Sequence, residues 1–230
     1  MSTRRFSTFE GVFTPCLLSI LGVIMYLRLG WVVGQVGLFW TITIIILANL
    51  ITLATALCMS SMVTNIRIGP GGAYSIITKS LGVEAGGAIG IPLYMSQAIS
   101  VAFYISGFTE AWHYLYPDHN GMWVSLIVWG VVLLITYYST KLAFRIQYVI
   151  MAVIFASVWA MFFSGNTYVV PDISGAVERA GFWQVFAVFF PAVTGIMAGA
   201  SMSGELKEPA KAIPQGTLAA IFVSLVVYIA

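Results

Sequence analysis

Two segments of the chain place a proline a few residues before a glycine inside a long apolar run, and such segments can open the backbone to a ligand. The first contains Pro15 and Gly22, and the second contains Pro191 and Gly195. Proline removes a backbone donor and clashes with the preceding helical turn, while glycine tolerates unwound geometry. Unwound backbone offers amide N–H groups to an anion and carbonyl oxygens to a dehydrated cation. Such a break suits both ions of a neutral salt, and it equally suits the carboxylate of an amino acid together with a sodium ion.

Two charged residues inside apolar runs are the other candidates for chemistry. Arg28 lies near the end of the first run, and Glu110 lies in the third. An ionisable group at membrane depth is costly and is a functional hypothesis by default. The two residues predict an ion pair toward the outer side of the membrane. The alternative is that the Arg28 side chain extends to the lipid headgroups.

The composition sets the class of protein in which these groups must act. Of the 230 residues, 60% are hydrophobic and only 8% are charged, whereas a soluble domain carries about 25% charged residues. A soluble core cannot bury so much apolar surface, so most of it must face lipid or other buried helices. The sequence therefore predicts an all-α polytopic membrane protein that contacts the lipid bilayer.

Seven apolar stretches supply the helices, since a membrane span needs about 20 residues. The polar, basic residues 1–10 predict a cytoplasmic tail with no removable signal peptide, and residues 11–230 predict the N-terminal part of a membrane domain. The last stretch is still apolar where it stops, which predicts truncation within a seventh helix. The stretches are 12–34, 38–63, 84–115, 121–140, 144–164, 182–203 and 215–230.

The positive charges predict the orientation, because cytoplasmic loops are enriched in Lys and Arg. If the N-terminus is cytoplasmic, only Arg28 and Arg179 of the ten basic residues fall elsewhere. We therefore expect a multi-pass protein of the cell membrane with its N-terminus inside. The residues on the inner side are Arg4, Arg5, Arg67, Lys79, Lys141, Arg145, Lys207 and Lys211.

Enzymatic, metal and nucleic-acid functions find little support. Cys16 and Cys58 lie in apolar runs without metal-ligand spacing, and His113 and His119 stand without further ligands. The sequence has no Ser-His-Asp or paired-carboxylate arrangement and no basic patch for nucleic acid. We therefore expect no catalytic activity and no cofactor.

The two broken stretches are the first and the sixth, which are corresponding positions in a five-plus-five inverted repeat. Spans interrupted by Gly or Pro at corresponding positions mark the binding site of inverted-repeat transporters. This predicts a LeuT-like fold with discontinuous helices 1 and 6. The alternative is coincidence, because Gly and Pro are common in membrane helices.

Four longer blocks resemble the cation–chloride cotransporter family of the amino acid–polyamine–organocation superfamily, in a prokaryotic-type homologue. They lie at 11–37, 64–90, 101–110 and 189–216. They read GVFTPCLLSILGVIMYLRLGWVVGQVG, TNIRIGPGGAYSIITKSLGVEAGGAIG, VAFYISGFTE and FFPAVTGIMAGASMSGELKEPAKAIPQG. The resemblance implies transport of small inorganic ions, namely K⁺ and Cl⁻ and in some members Na⁺. It also implies a homodimer of the full-length protein.

The resemblance further implies a K⁺ site built from both breaks and the third helix. Many members carry asparagine where this chain has Ser19, which puts K⁺ selectivity in doubt if the side chain is a ligand. Tyr104 has the alternative of a packed ring, and Thr194 has that of a bond to a carbonyl of its own helix. The K⁺ site residues are Ser19, Ile20, Tyr104, Pro191 and Thr194.

The remaining ion positions are implied in the same way. One chloride falls on the amides of Gly22, Val23 and Ile24, and a second falls on those of Gly195, Ile196 and Met197. A Na⁺ site, where present, uses carbonyls matching Leu18 and Leu21 together with hydroxyls of an eighth helix. The resemblance also pairs Arg28 with Glu110 as an outer gate.

Three functions stay open: a K⁺–Cl⁻ cotransporter, an amino-acid or polyamine permease of the same fold, and a non-transporting assembly partner. Space near Gly22 and Gly195 separates the first two. An amino acid needs a pocket for its side chain, which Ile20, Ile24, Met197 and Tyr104 would crowd.

Overall fold

A computed structural model describes residues 5–66, 69–138, 140–163 and 180–230, apart from the side chains of 140–144 and 162. These residues are almost entirely helical and form two compact units, one of residues 1–90 with 165–230 and one of residues 91–164. The α-helices are α1 Thr14–Ile20, α2 Val23–Asn65, α3 Gly72–Leu81, α4 Val83–Leu115, α5 Gly121–Tyr138, α6 Thr140–Phe163, α7 Phe182–Phe189, α8 Met197–Ser201 and α9 Pro209–Ile229.

The first predicted break is present at Leu21 and Gly22. A π-helical turn, Phe9–Phe13, runs directly into α1, so the helical segment begins two residues inside the predicted tail. Helical geometry ends where Leu21 adopts ψ 41° and Gly22 an extended φ of −93° and ψ of −157°. Pro15 stands in the first turn of α1, where a missing amide is tolerated. The glycine therefore marks the break, and the proline precedes it.

The predicted stretches 12–34 and 38–63 are joined at one sharp corner. α2 continues for 43 residues, but Gly37 within it has φ 74° and ψ 170°. This backbone conformation is almost confined to glycine. The Thr41 hydroxyl donates to the Gly37 carbonyl at 2.8 Å. Gly37 therefore turns the chain from one span into the next.

The second predicted break lies between Thr194 and Ile196. α7 passes into a 3₁₀ turn, Phe190–Val193, which contains Pro191. The helix resumes as the five-residue α8 and ends in a second 3₁₀ turn, Ser203–Glu205. Helices 1 and 6 of the predicted fold are thus both discontinuous.

The core of the first unit forms where α2 packs against α7 and α9, and it continues where α1, α8 and α9 meet. Glycines allow this approach: a β-carbon at Gly216 would lie 2.7 Å from the Val12 β-carbon, and one at Gly199 would lie 3.0 Å from the Cys16 sulfur. Small residues let membrane helices pack closely, because hydrophobic burial does not drive them together in lipid. Val12, Cys16 and Ile213 are fully buried as a result.

Hydrogen bonds connect the N-terminal segment and the loop before α3 to the segment that follows α8. The Phe6 amide donates to the Glu205 carbonyl at 2.8 Å, and the Lys207 amide donates to the Phe6 carbonyl at 3.1 Å. The glycine-rich loop before α3 forms a tight turn, with positive φ at Gly71 and Gly72. The Ser203 hydroxyl accepts from the Gly72 amide and donates to the Gly69 carbonyl at 3.0 Å. The segment after α8 therefore anchors both the N-terminal segment and this loop.

The second unit contains most of α4 with α5 and α6. The Thr109 and Ser125 hydroxyls, on α4 and α5, are 2.8 Å apart. α5 buries none of its residues within the described chain. Apolar side chains exposed along such a helix suit a lipid environment.

Several helices are long and apolar enough to cross a membrane. They cover every predicted stretch, although the stretch at 144–164 is represented only by a shorter apolar helix, Arg145–Met161. Arg4, Arg67 and Arg179, on which the orientation partly depends, lie outside the described residues. The candidate spans are Phe9–Asn65, Val83–Leu115, Gly121–Tyr138, Phe182–Glu205 and Pro209–Ile229.

The corner at Gly37 provides a stability test. We expect Gly37→Ala to lower the free energy of unfolding by about 1–3 kcal/mol, because an L side chain is strained at this φ and ψ. Thermal melting in detergent, followed by the remaining monodisperse protein, measures the loss. Gly34→Ala, in open space on the same helix, is the matched control and should melt no lower than the wild type. Equal melting of both variants would contradict this role.

Candidate functional site

The two breaks lie in direct contact. A β-carbon built at Gly195 would lie 2.5 Å from the Ser19 β-carbon, 2.9 Å from the Ser19 carbonyl carbon and 3.0 Å from the Ile20 nitrogen. These distances are shorter than real β-carbon contacts, so only glycine fits at position 195. The structure thereby brings Ser19 and Ile20, predicted for the K⁺ site, against Gly195, predicted for a chloride site.

The carbonyl groups at the end of α1 lie next to the first break. The last carbonyls of a helix have no intrahelical partner. Here the Leu17 carbonyl accepts from the Leu21 amide at 2.8 Å, and the Ile20 carbonyl accepts from the Tyr228 hydroxyl at 2.8 Å. The Leu18 and Ser19 carbonyls lie 3.5 and 3.2 Å from where a Gly22 β-carbon would stand. The Leu18 and Ser19 carbonyl oxygens therefore lie beside Gly22 at the first break, and oxygen atoms of this type are the ligands that a dehydrated cation requires.

The amides predicted for the first chloride begin the following helix. Gly22 is the N-cap of α2, and Val23 and Ile24 are its first helical residues. The first amides of a helix lack intrahelical acceptors and carry partial positive charge. The helical segment that begins at Val23 continues to the corner at Gly37, so its N-terminal end can attract an anion.

The second predicted chloride position is built differently. Gly195 and Ile196 precede α8, and Met197 begins it, but α8 has only five residues. So short a helix contributes a small dipole. An anion at this position would depend on individual amide N–H groups.

Pro191 and Thr194 contribute adjacent oxygens at the second break. The Thr194 hydroxyl donates to the Pro191 carbonyl at 2.8 Å, which is the alternative contact raised from the sequence. A hydroxyl that donates keeps its two acceptor lone pairs. This bond therefore places two oxygens side by side and leaves both able to contact a cation. Both residues are exposed at the surface of their unit.

Tyr104 and Glu110 belong to the second unit, whereas the other predicted site residues belong to the first. Tyr104 is 45% exposed on α4. Glu110 and Arg28 are each half-buried on their own helices. The Tyr104 ligand and the Arg28–Glu110 pair remain predictions.

Sequence reasoning missed two residues that join the breaks to their neighbours. The Cys16 thiol donates to the Ile196 carbonyl at 3.4 Å and accepts from the Gly199 amide at 3.3 Å. Tyr228, on α9, holds the Ile20 carbonyl. The only signal in the sequence was a polar atom inside an apolar run, and such a signal does not name its partner.

The charged loop before α9 behaves as a solvated face. Glu208 and Lys211 form an exposed ion pair at 2.9 Å. The hydrogen bond and the positive charge from Lys211 lower the pKa of the Glu208 carboxyl. Exposed pairs of this kind contribute little to stability.

Within the described part of the chain, no three His, Cys, Asp or Glu side chains cluster as metal ligands.

Long apolar helices, two of them interrupted at breaks that touch, define a multi-pass membrane protein of the broken-helix transporter class. The chain belongs to the amino acid permease family, whose model matches residues 11–230. This family has the LeuT-like fold expected from the two breaks.

Curated relatives agree with the resemblance read from the motifs. The chain is 34% identical, over 98% of its length, to solute carrier family 12 member 1 and to solute carrier family 12 member 2 of Mus musculus. It is 33% identical to solute carrier family 12 member 2 of Homo sapiens over the same share. These similarities confirm the resemblance to the cation–chloride cotransporters. The chain spans only 21–23% of the length of these relatives.

Contact between the breaks can be tested at Gly195. We expect Gly195→Ala to destabilise the protein by about 1–3 kcal/mol, because the new methyl group overpacks against Ser19. Thermal melting in detergent measures this change. Gly30→Ala, which meets no atom within 4 Å, is the matched control. Combining Gly195→Ala with Ser19→Gly should recover part of the loss, and no recovery together with unchanged melting of the single variant would refute the contact.

Proposed function

We propose that the protein is a secondary active transporter that couples K⁺ to Cl⁻ across the membrane by alternating access. Na⁺ is a candidate for a third transported ion. The observation that carries the proposal is the contact of Gly195 with Ser19 and Ile20. It joins the carbonyl end of α1 and the oxygens of Pro191 and Thr194 in one region, beside the amide end of α2. The motif resemblance and the solute carrier family 12 relatives support the same function.

The chemistry of this region suits a cation and an anion together. Carbonyl and hydroxyl oxygens replace the hydration shell of K⁺, while the amides of Gly22, Val23 and Ile24 receive Cl⁻. Removing either ion from water is costly, and the opposite charge of its neighbour offsets part of that cost. Binding of both ions as a neutral pair therefore favours coupled transport over separate passage.

Transport of an amino acid is the second candidate, because the matching family model is the amino acid permease. A substrate of this kind needs space for a side chain beside the breaks. The face of Gly195 is filled by Ser19, and Ile20 and Ile24 are 1% and 7% exposed. This close packing favours small ions.

The proposed cycle moves the site between two openings. One helix bundle rocks against its surroundings, with the N-terminus on the cytoplasmic side. An Arg28–Glu110 ion pair closes the outer path when the site faces inward. The gradient of the driving ion supplies the energy, so the cycle needs no nucleotide.

The main test is ⁸⁶Rb⁺ uptake by the protein, in the full length that its gene encodes, reconstituted in proteoliposomes. We expect uptake in chloride and little uptake in gluconate. Thr194→Val should raise the half-saturating Rb⁺ concentration about tenfold or more, because a ligand oxygen of a charged ion is lost. Thr55→Val is the matched control, since the Thr55 hydroxyl also bonds to a carbonyl one turn earlier but on an exposed face of α2. Uptake that ignores chloride would favour the permease, and amino-acid binding would then be measured.

The gate is tested separately at Arg28. We expect Arg28→Ala to reduce chloride-dependent Rb⁺ uptake severalfold while the protein still inserts and melts like the wild type, because the outer path no longer closes. Arg145→Ala, at the start of another apolar helix, serves as the control for loss of a positive charge. Normal uptake by Arg28→Ala would eliminate the gate.

A further inference from the structure

One tyrosine from a third helix contacts the end of both half-helices that precede the breaks. The Tyr228 hydroxyl, on α9, donates to the carbonyl of Ile20, the last residue of α1, at 2.8 Å. Its ring packs edge-on against Phe189, the last residue of α7, with ring centroids 5.4 Å apart and planes at 77°. Tyr228 is 5% exposed. A single side chain therefore links both breaks to a continuous helix.

The hydrogen bond acts on an oxygen that belongs to the proposed cation site. A carbonyl at the end of a helix within the membrane needs a partner, because lipid offers none. The oxygen has two lone pairs, and Tyr228 uses one of them. The bond therefore fixes the direction of the Ile20 carbonyl and leaves a lone pair for an ion.

We propose that Tyr228 is a positioning residue of the cation site, whose hydroxyl holds the Ile20 carbonyl in the direction that binds K⁺. The assignment rests on the proposed function, in which Ile20 is a K⁺ ligand. Phe189 supports the ring of Tyr228 from the other break. Movement at one break is thereby transmitted to the carbonyl at the other.

The position of this bond predicts which ion it affects. Tyr228 contacts the carbonyl end of α1, whereas the amides of the first chloride position lie at the start of α2 and those of the second lie around the start of α8. Loss of the hydroxyl frees the carbonyl to turn away from the cation and leaves the amides in place. The change should therefore appear in the affinity for the cation and not in the affinity for chloride.

The test is Tyr228→Phe in the full-length protein, reconstituted for ⁸⁶Rb⁺ uptake. Phenylalanine keeps the ring and its contact with Phe189, so the maximal rate should stay close to that of the wild type. We expect the half-saturating Rb⁺ concentration to rise about threefold to tenfold, as the loss of one hydrogen bond allows. The half-saturating chloride concentration, measured at saturating Rb⁺, should stay unchanged. Tyr138→Phe, which removes the hydroxyl of a tyrosine that is 78% exposed on α5, is the matched control.

A second variant and a second readout separate positioning from general stability. 4-Aminophenylalanine at position 228 keeps a donor at the end of the ring and should restore the wild-type half-saturation. Equilibrium binding of ⁸⁶Rb⁺ to the purified protein should show the same shift and the same rescue. A wild-type half-saturation in Tyr228→Phe, or equal losses for both ions without rescue, would overturn the assignment. If the wild type takes up no Rb⁺, the proposed function fails and the assignment falls with it.

Discussion

Backbone N–H and C=O groups that are not hydrogen-bonded within a helix must, inside a membrane, find partners in the protein or in a bound ligand. The residues that the structure describes include two such places, and the two breaks lie in contact with each other. Gly195 allows the second break to lie on Ser19 and Ile20 of the first, and α9 supplies a hydroxyl for the Ile20 carbonyl. The protein satisfies some of the freed groups and gathers others in one region, which is what an ion site requires.

Three sets of contacts connect the half-helices α1 and α8 or the segments next to them. The N-terminal segment pairs with the backbone around Leu206, and Cys16 contacts both Ile196 and Gly199. Gly195 then packs on Ser19 at the breaks themselves. Contacts of this number favour movement of α1 and α8 as one body, which is the kind of element that rocking requires.

Local chemistry in the sequence predicted the break at Gly22 but not the partners of the atoms that the break exposes. Gly22, Gly37 and the turn at Gly71 adopt backbone geometries for which their residue type is suited. In contrast, the sequence could not show whether Pro15 lies at the break or in the first turn of a helix, because proline also fits a first helical turn. The bond from Tyr228 to Ile20 could not be foreseen, since it depends on how distant helices pack.

Completion of the first helix depends on the last one described. Ile20 and Tyr228 are separated by 208 residues, and ribosomes add roughly 5–20 residues per second. Synthesis of Tyr228 therefore follows that of Ile20 by roughly 10–40 s, and during this time the Ile20 carbonyl lacks the partner that it has in the folded protein. Helix 1 is thus synthesised long before the side chain that holds its last carbonyl, so the first break is completed only when α9 packs against it.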